Sequence, residues 1–172
     1  YMRHRYDEAM TGIDALLQTE PNNPYFHEMK AQMLLESGKS SEAAADYRRA
    51  VALNEDSPLL RAEWAQALLA TNDPSVLDEA AEQLQAALRQ EPQTPSLWRQ
   101  LATAWGRKGD QAAATYALAE EAAAMGRDRA AAQYADRAMK GLPKGSAYWL
   151  RAQDIKLSTA PDDIRDKQKK EP

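Results

Sequence analysis

The 172 residues contain no cysteine. Disulfides and thiolate metal sites are therefore excluded, and the redox compartment stays open. No apolar run approaches the ~20 residues a membrane span needs. Runs of valine, isoleucine and threonine, which would mark strands, are missing too. No glycine-rich stretch of the kind that cradles phosphate is present. Positive charge is scarce where nucleic acid would need it. Residues 1–94 hold 8 basic and 16 acidic side chains, against 14 and 10 in residues 95–172. The acidic part would repel phosphates. The one dense basic cluster, Lys167, Lys169 and Lys170, is broken up by Asp163, Asp166 and Glu171 and reads as a solvated tail. No signal peptide is visible, and the chain starts inside a helical pattern, as a piece of something longer would.

What is there repeats. Ala9, Ala43, Ala80 and Ala114 are spaced by 34, 37 and 34 residues. Pro24, Pro58 and Pro95 share the 34 and 37 spacings, as do Ala31, Ala65 and Ala102, and Leu34, Leu68 and Trp105. Such a period marks a solenoid of helical hairpins, in which each unit packs on its neighbours. Asn23-Pro24 opens a helix A, Gly38 ends it, and a helix B follows from about Ser41, where Ser40 and Ser41 are read as capping residues. Asp56-Ser57-Pro58 closes that unit and caps the next. The three extra residues of the second unit fall around Asn72-Asp73-Pro74, in a turn, because an insertion inside a helix would rotate its apolar face away.

The expected organisation is an all-α chain of about nine helices, with a solenoid over residues 1–157. Residues 2–19 form a lone helix B, and repeats cover 24–57, 58–94 and 95–126. Gly126 makes 111–125 serve as a helix B and a helix A at once, which gives an overlapping irregular repeat over 111–143 and a terminal helix over 146–157. Residues 158–172 are expected to be a disordered polar tail. The alanine columns form the seam where helices approach closely, and Leu34, Tyr47, Leu68, Leu84, Leu88, Leu101, Trp105 and Leu118 fill the remaining volume.

These columns resemble the tetratricopeptide repeat (TPR), best in the third unit with Trp98, Leu101, Ala102, Trp105 and Gly109. The first unit departs from the pattern, since His27 and Lys30 stand where tryptophan and leucine are usual. The resemblance implies a right-handed superhelix of antiparallel helix pairs. A narrower resemblance rests on Asn23-Pro24-Tyr25-Phe26-His27-Glu28, on Trp98-Arg99-Gln100-Leu101-Ala102 with Gly106-Arg107-Lys108-Gly109-Asp110, and on Leu142-Pro143-Lys144-Gly145-Ser146 with Trp149-Leu150-Arg151-Ala152-Gln153-Asp154. These strings look like the C-terminal TPR region of bacterial periplasmic zinc metalloproteases tied to outer-membrane protein assembly and quality control. That resemblance implies a periplasmic location; a generic cytoplasmic TPR adaptor is the alternative.

The sequence itself offers no active site. His4 and His27 are the only histidines. His27-Glu28-Met29-Lys30-Ala31 begins like a His-Glu-x-x-His helix, but its fifth position is Ala31, so a second imidazole is missing from that face. No cofactor is expected in this chain, and zinc only in a protease domain outside it. Glu120 and Glu121 are neighbours that point to different sides of a helix, a poor acid/base pair.

The expected role is a non-catalytic scaffold that binds a protein or peptide partner, or its own protease domain. The resemblance places the A helices on a concave groove. The groove residues it implies are Tyr25, Glu28, Met29, Gln32 and Glu36 in the first unit, Leu59, Glu63, Gln66 and Leu69 in the second, and Arg99, Gln100, Thr103 and Arg107 in the third. Chaperone-binding TPR domains clamp a terminal carboxylate with a lysine and asparagines. Here Glu28 and Gln32 occupy those places, which disfavours such a ligand. Self-association is expected through the outer face of the 2–19 helix, including Tyr6 and Met10.

Overall fold

The computed structural model describes residues 2–159, with side chains from Tyr6 onward. The His4 side chain and the charged tail beyond residue 159 lie outside what is described. Among the described residues there are nine α-helices, one 3₁₀ turn and no strand. They fall into two compact units, the first ending at Gln90 and the second beginning at Glu91.

The first unit holds α1 (Met2–Thr19), α2 (Pro24–Glu36), α3 (Ser40–Leu53), α4 (Pro58–Ala70), a 3₁₀ turn (Pro74–Val76) and α5 (Leu77–Gln90). Each helix packs on the next in sequence. The Asn-Pro and Ser-Pro starts work as their chemistry dictates. Asn23 Oδ1 accepts from Tyr25 N at 3.1 Å and Ser57 Oγ from Leu60 N at 3.3 Å, while each proline takes the first helical position, where no donor is needed. α3 differs from expectation. Its N-cap is Lys39, with no side-chain cap bond, and Ser40 and Ser41 already lie in the first turn. The three-residue insertion is folded. Asn72 takes φ 59°, Asp73 accepts from Ser75 N at 2.9 Å, and Pro74–Val76 winds one 3₁₀ turn that feeds α5. That bond from the Ser75 backbone holds the Asp73 carboxyl below its usual range.

The second unit holds α6 (Pro95–Lys108), α7 (Gln111–Ala124), α8 (Asp128–Gly141) and α9 (Ala147–Ser158). α7 packs on α6, α8 and α9, so one helix serves two hairpins. Gly109 terminates α6 at φ 93°, a left-handed conformation that a side chain would strain. Gly141 matters for space instead. A Cβ there would come within 2.9 Å of Ala112 Cβ, so its absence lets α8 close on α7.

The seam is made of small side chains, as their spacing implied. Ala31, Ala43, Ala50, Ala65, Ala80 and Ala87 have no exposed surface in the first unit, nor do Ala131, Ala135 and Ala138 in α8. Leu34, Tyr47, Leu68, Leu84, Leu88, Leu101 and Trp105 are buried beside them, and Leu118 is half-buried. Ala9 departs from its column. It is exposed, on a helix whose main packing partner among the described residues is α2.

Candidate functional site

α2 and α4 each bury one face and expose another. On α2, His27, Ala31 and Leu34 point inward, and Tyr25, Met29, Gln32 and Glu36 form an exposed stripe at i, i+4, i+7 and i+11. On α4, Leu60, Trp64, Ala65, Ala67 and Leu68 are buried, while Leu59 and Gln66 are exposed and Glu63 and Leu69 half-buried between them. Three apolar side chains stand out from these stripes: Tyr25 is 65% exposed, Leu59 59% and Met29 48%. Large apolar groups left in water at helical spacing are what a recognition surface requires.

The electrostatics of this face are acidic. Burial first, and then the charge of Glu28, push the Glu63 carboxyl above its usual range. Glu63 Oε2 is buried and makes no hydrogen bond within the protein. Below it lies Tyr47 of α3, whose hydroxyl is raised by burial and then by Glu63, Glu28 and Glu36. Gln32 Nε2 donates to Glu36 Oε1 at 3.0 Å. Two other carboxylates of the unit are matched. Lys30 donates to Asp14 at 2.8 Å, which raises the lysine, and Asp46 faces both His27 and Arg49.

In the second unit the four expected residues lie along α6. Arg99, Thr103 and Arg107 are exposed and Gln100 is half-buried. Arg99 is pinned: its Nε and Nη2 both donate to Glu121 Oε1 at 2.8 Å. Gln100 Oε1 is buried without a partner, at the register that Glu63 holds 37 residues earlier.

His27 is a packing residue. Its Nε2 donates to the Pro21 carbonyl at 2.9 Å and its Nδ1 meets Asp46 Oδ1 at 3.1 Å, so both ring nitrogens are engaged inside the fold. Among the described residues there is no group of three or more histidine, aspartate or glutamate side chains arranged to hold a metal. Glu120 and Glu121 do diverge. Glu121 takes Arg99 of α6, and Glu120 accepts from Arg151 Nε at 2.7 Å, Arg151 Nη2 at 3.0 Å and the Tyr116 hydroxyl at 2.8 Å. The Glu120 bonds raise Arg151, and burial, ahead of the Glu120 charge, raises Tyr116. Sequence reasoning missed these pairs, although Glu121 standing in the column of Ala50 and Ala87 was a signal that a buried charge needs a partner.

One expected surface is corrected. Tyr6 does not stand on the outer face of α1. It is half-buried with its hydroxyl 3.0 Å from Ser37 Oγ, and Met10 is half-buried as well. The Tyr6 hydroxyl thus meets the residue that ends α2. Nothing among the described residues is long and apolar enough to form a membrane-crossing helix.

No known protein-family profile matches the chain. Among curated proteins, the beta-barrel assembly-enhancing protease of Yersinia pestis is 28% identical over 127 residues, covering 74% of this chain and 26% of that protein. The chain thus spans about a quarter of that relative's length. Among solved structures, MamA superposes with a TM-score of 0.66 at 18% identity, over 96% of this chain and 94% of that one. A thermophilic TPR protein of Thermus thermophilus, TTC0263, gives 0.51 at 22% identity, over 90% and 92%. The fold is that of TPR-like helical proteins.

Proposed function

We propose that this chain is a non-catalytic, TPR-type protein-interaction scaffold and that the exposed stripes of α2 and α4 are its recognition surface. The observation that carries the reading is the exposure of Tyr25, Met29 and Leu59 on helices whose opposite faces are fully packed. The remaining residues of the surface are Glu28, Gln32, Glu36, Glu63, Gln66 and Leu69, with Arg99, Gln100, Thr103 and Arg107 forming a second face on α6.

The finer reading is the accessory region of a periplasmic zinc metalloprotease, holding a client protein, an assembly partner or the protease domain itself. The partial likeness to a beta-barrel assembly-enhancing protease supports it. In that reading the parent's zinc and its chemistry lie in a separate domain. Reading the gene upstream for a His-Glu-x-x-His helix behind a signal peptide tests this part; absence of both removes it.

The scaffold reading is tested by photocrosslinking in the parent protein in its own cells. A photoreactive residue at Met29 or Leu59 is expected to capture a protein partner or the protein's own remaining domain. The same residue at Ala45 or Glu82, exposed on α3 and α5, is expected not to. Equal capture at all four positions, or none, overturns the reading. A free acidic peptide with a C-terminal carboxylate is expected not to bind, because Glu28 would repel it. Saturable binding of such a peptide to this face would contradict that.

A further inference from the structure

We infer that the α2–α4 face selects a cationic partner segment, a peptide stretch in which lysine or arginine stands among apolar side chains. The inference rests on the scaffold reading and specifies its partner.

Three observations converge. The first is the apolar part: Tyr25, Met29 and Leu59 give the segment's apolar side chains something to cover. The second is charge without internal compensation. Glu28 and Glu63 are close enough for one to hinder ionisation of the other, and among the described residues neither has a basic side chain in ion-pair distance. Asp14 and Asp46, in the same unit, are each matched by a cationic partner. The third is the orphaned acceptor. Glu63 Oε2 is buried and makes no hydrogen bond within the protein, so a cation docked beside the half-buried carboxylate would offset a charge that the fold leaves uncompensated.

An anionic segment would add a third negative charge to a half-buried pair, and a neutral one would leave the repulsion of Glu28 and Glu63 in place. The recurrence of the orphan at Gln100 sharpens the point. That position in α6 presents an unpaired acceptor but no charge, so the cation preference belongs to α4.

The test uses fluorescence anisotropy on the full 172-residue chain with three labelled ten-residue peptides. They alternate leucine with lysine, with glutamine, or with glutamate. The lysine peptide is expected to bind about tenfold more tightly than the glutamine peptide, and the glutamate peptide not to bind. Glu63→Gln and Glu28→Gln should each weaken the lysine peptide by about three- to tenfold. Glu82→Gln, the same loss of charge on the exposed side of α5, should leave it within about twofold. Thermal melting establishes that each variant is folded, and the mild amide substitution at Glu28 guards against a folding defect at Glu63.

Equal weakening by Glu82→Gln would mean diffuse attraction to an acidic unit and overturns the inference. Binding of the glutamate peptide, or no binding of the lysine peptide, also overturns it. The scaffold reading survives those outcomes if Met29 and Leu59 still crosslink in the cell, and falls separately if they do not.

Discussion

At the scale of single residues, the most telling group is a carboxylate held partly out of water. Glu63 stands half-buried where a neutral side chain would cost less. Burial, followed by Glu28, raises its carboxyl. A group with higher proton affinity in the folded state favours the fold only as it takes up a proton, so its penalty is full at neutral pH and fades as pH falls through the folded pKa. Glu63→Gln is therefore expected to melt above the wild type at pH 7, with the gap closing on acidification into the carboxylate range. A variant that melts lower at pH 7 would show that Glu63 is held by contacts that outweigh its desolvation. The seam alanines make a second, opposite case. Ala65→Leu should cost about 1–3 kcal/mol by overpacking, read from urea midpoints, whereas Ala9→Leu, at an exposed member of the periodic columns, should fall within about 0.5 kcal/mol of wild type.

The residue scale also marks where the sequence stops being readable. Alanine columns could be read directly, because a repeated small side chain has few reasons to exist other than close approach. The partners of His27, Glu120 and Glu121 could not. Asp46, Arg151 and Arg99 lie 19, 31 and 22 residues away, and no short-range pattern links them. Their pairing depends on the reach of long side chains across a packed interface.

At the scale of elements, helix ends carried most of the information. Asn23-Pro24, Ser57-Pro58 and Gly109-Asp110 each announce a boundary through a side-chain acceptor, a missing donor or a positive φ, and the helices begin and end there. Where the cap was inferred from residue type alone, at Ser40 and Ser41, the helix began one residue earlier, with an uncapped Lys39 ahead of it. The turn insertion gave its place but not its form, since Pro74–Val76 winds into a 3₁₀ turn only because Asn72 accepts a left-handed backbone and Asp73 caps it.

α7 is the element on which the second unit depends. It packs against three helices, and its Glu120, buried beside Tyr116, reaches Arg151 on α9. Tyr116 stacks on Tyr148 of α9 at 4.8 Å between centroids, and Trp105 lies 5.5 Å from Tyr148. Removing the cation leaves a buried carboxylate short of a partner. Arg151→Ala should cost about 2 kcal/mol, less than for a fully buried pair because the guanidinium is half exposed. Hydrogen exchange should quicken across α9 before the rest of the unit, and Glu120→Gln added to Arg151→Ala should recover part of the loss. Unchanged exchange in α9 would assign its docking to the aromatic stack alone.

At the scale of the whole molecule, the repeat period made the fold class legible, because a solenoid states its architecture several times over in one chain. The proposed recognition surface was legible only as positions. Sequence could place Tyr25, Met29 and Leu59 on the outward side of their helices, but their exposure, the orphaned oxygen of Glu63 and the pinning of Arg99 by Glu121 depend on neighbouring helices that no local pattern encodes. Charge adds to this. The acidic excess of residues 1–94 is spread along the sequence, while in the folded unit Glu28 and Glu63 stand close enough for one to raise the other.

The proposed role requires that this outward face recognise a protein partner and do little to hold the fold. The triple substitution Tyr25→Ser, Met29→Ser and Leu59→Ser, introduced into the parent protein, tests it most directly through recovery of the crosslinked partner. The partner is expected to be lost while the melting temperature of the isolated chain barely moves, because about half or more of each of the three side chains is already in water. Undiminished partner recovery from a folded triple variant would contradict it.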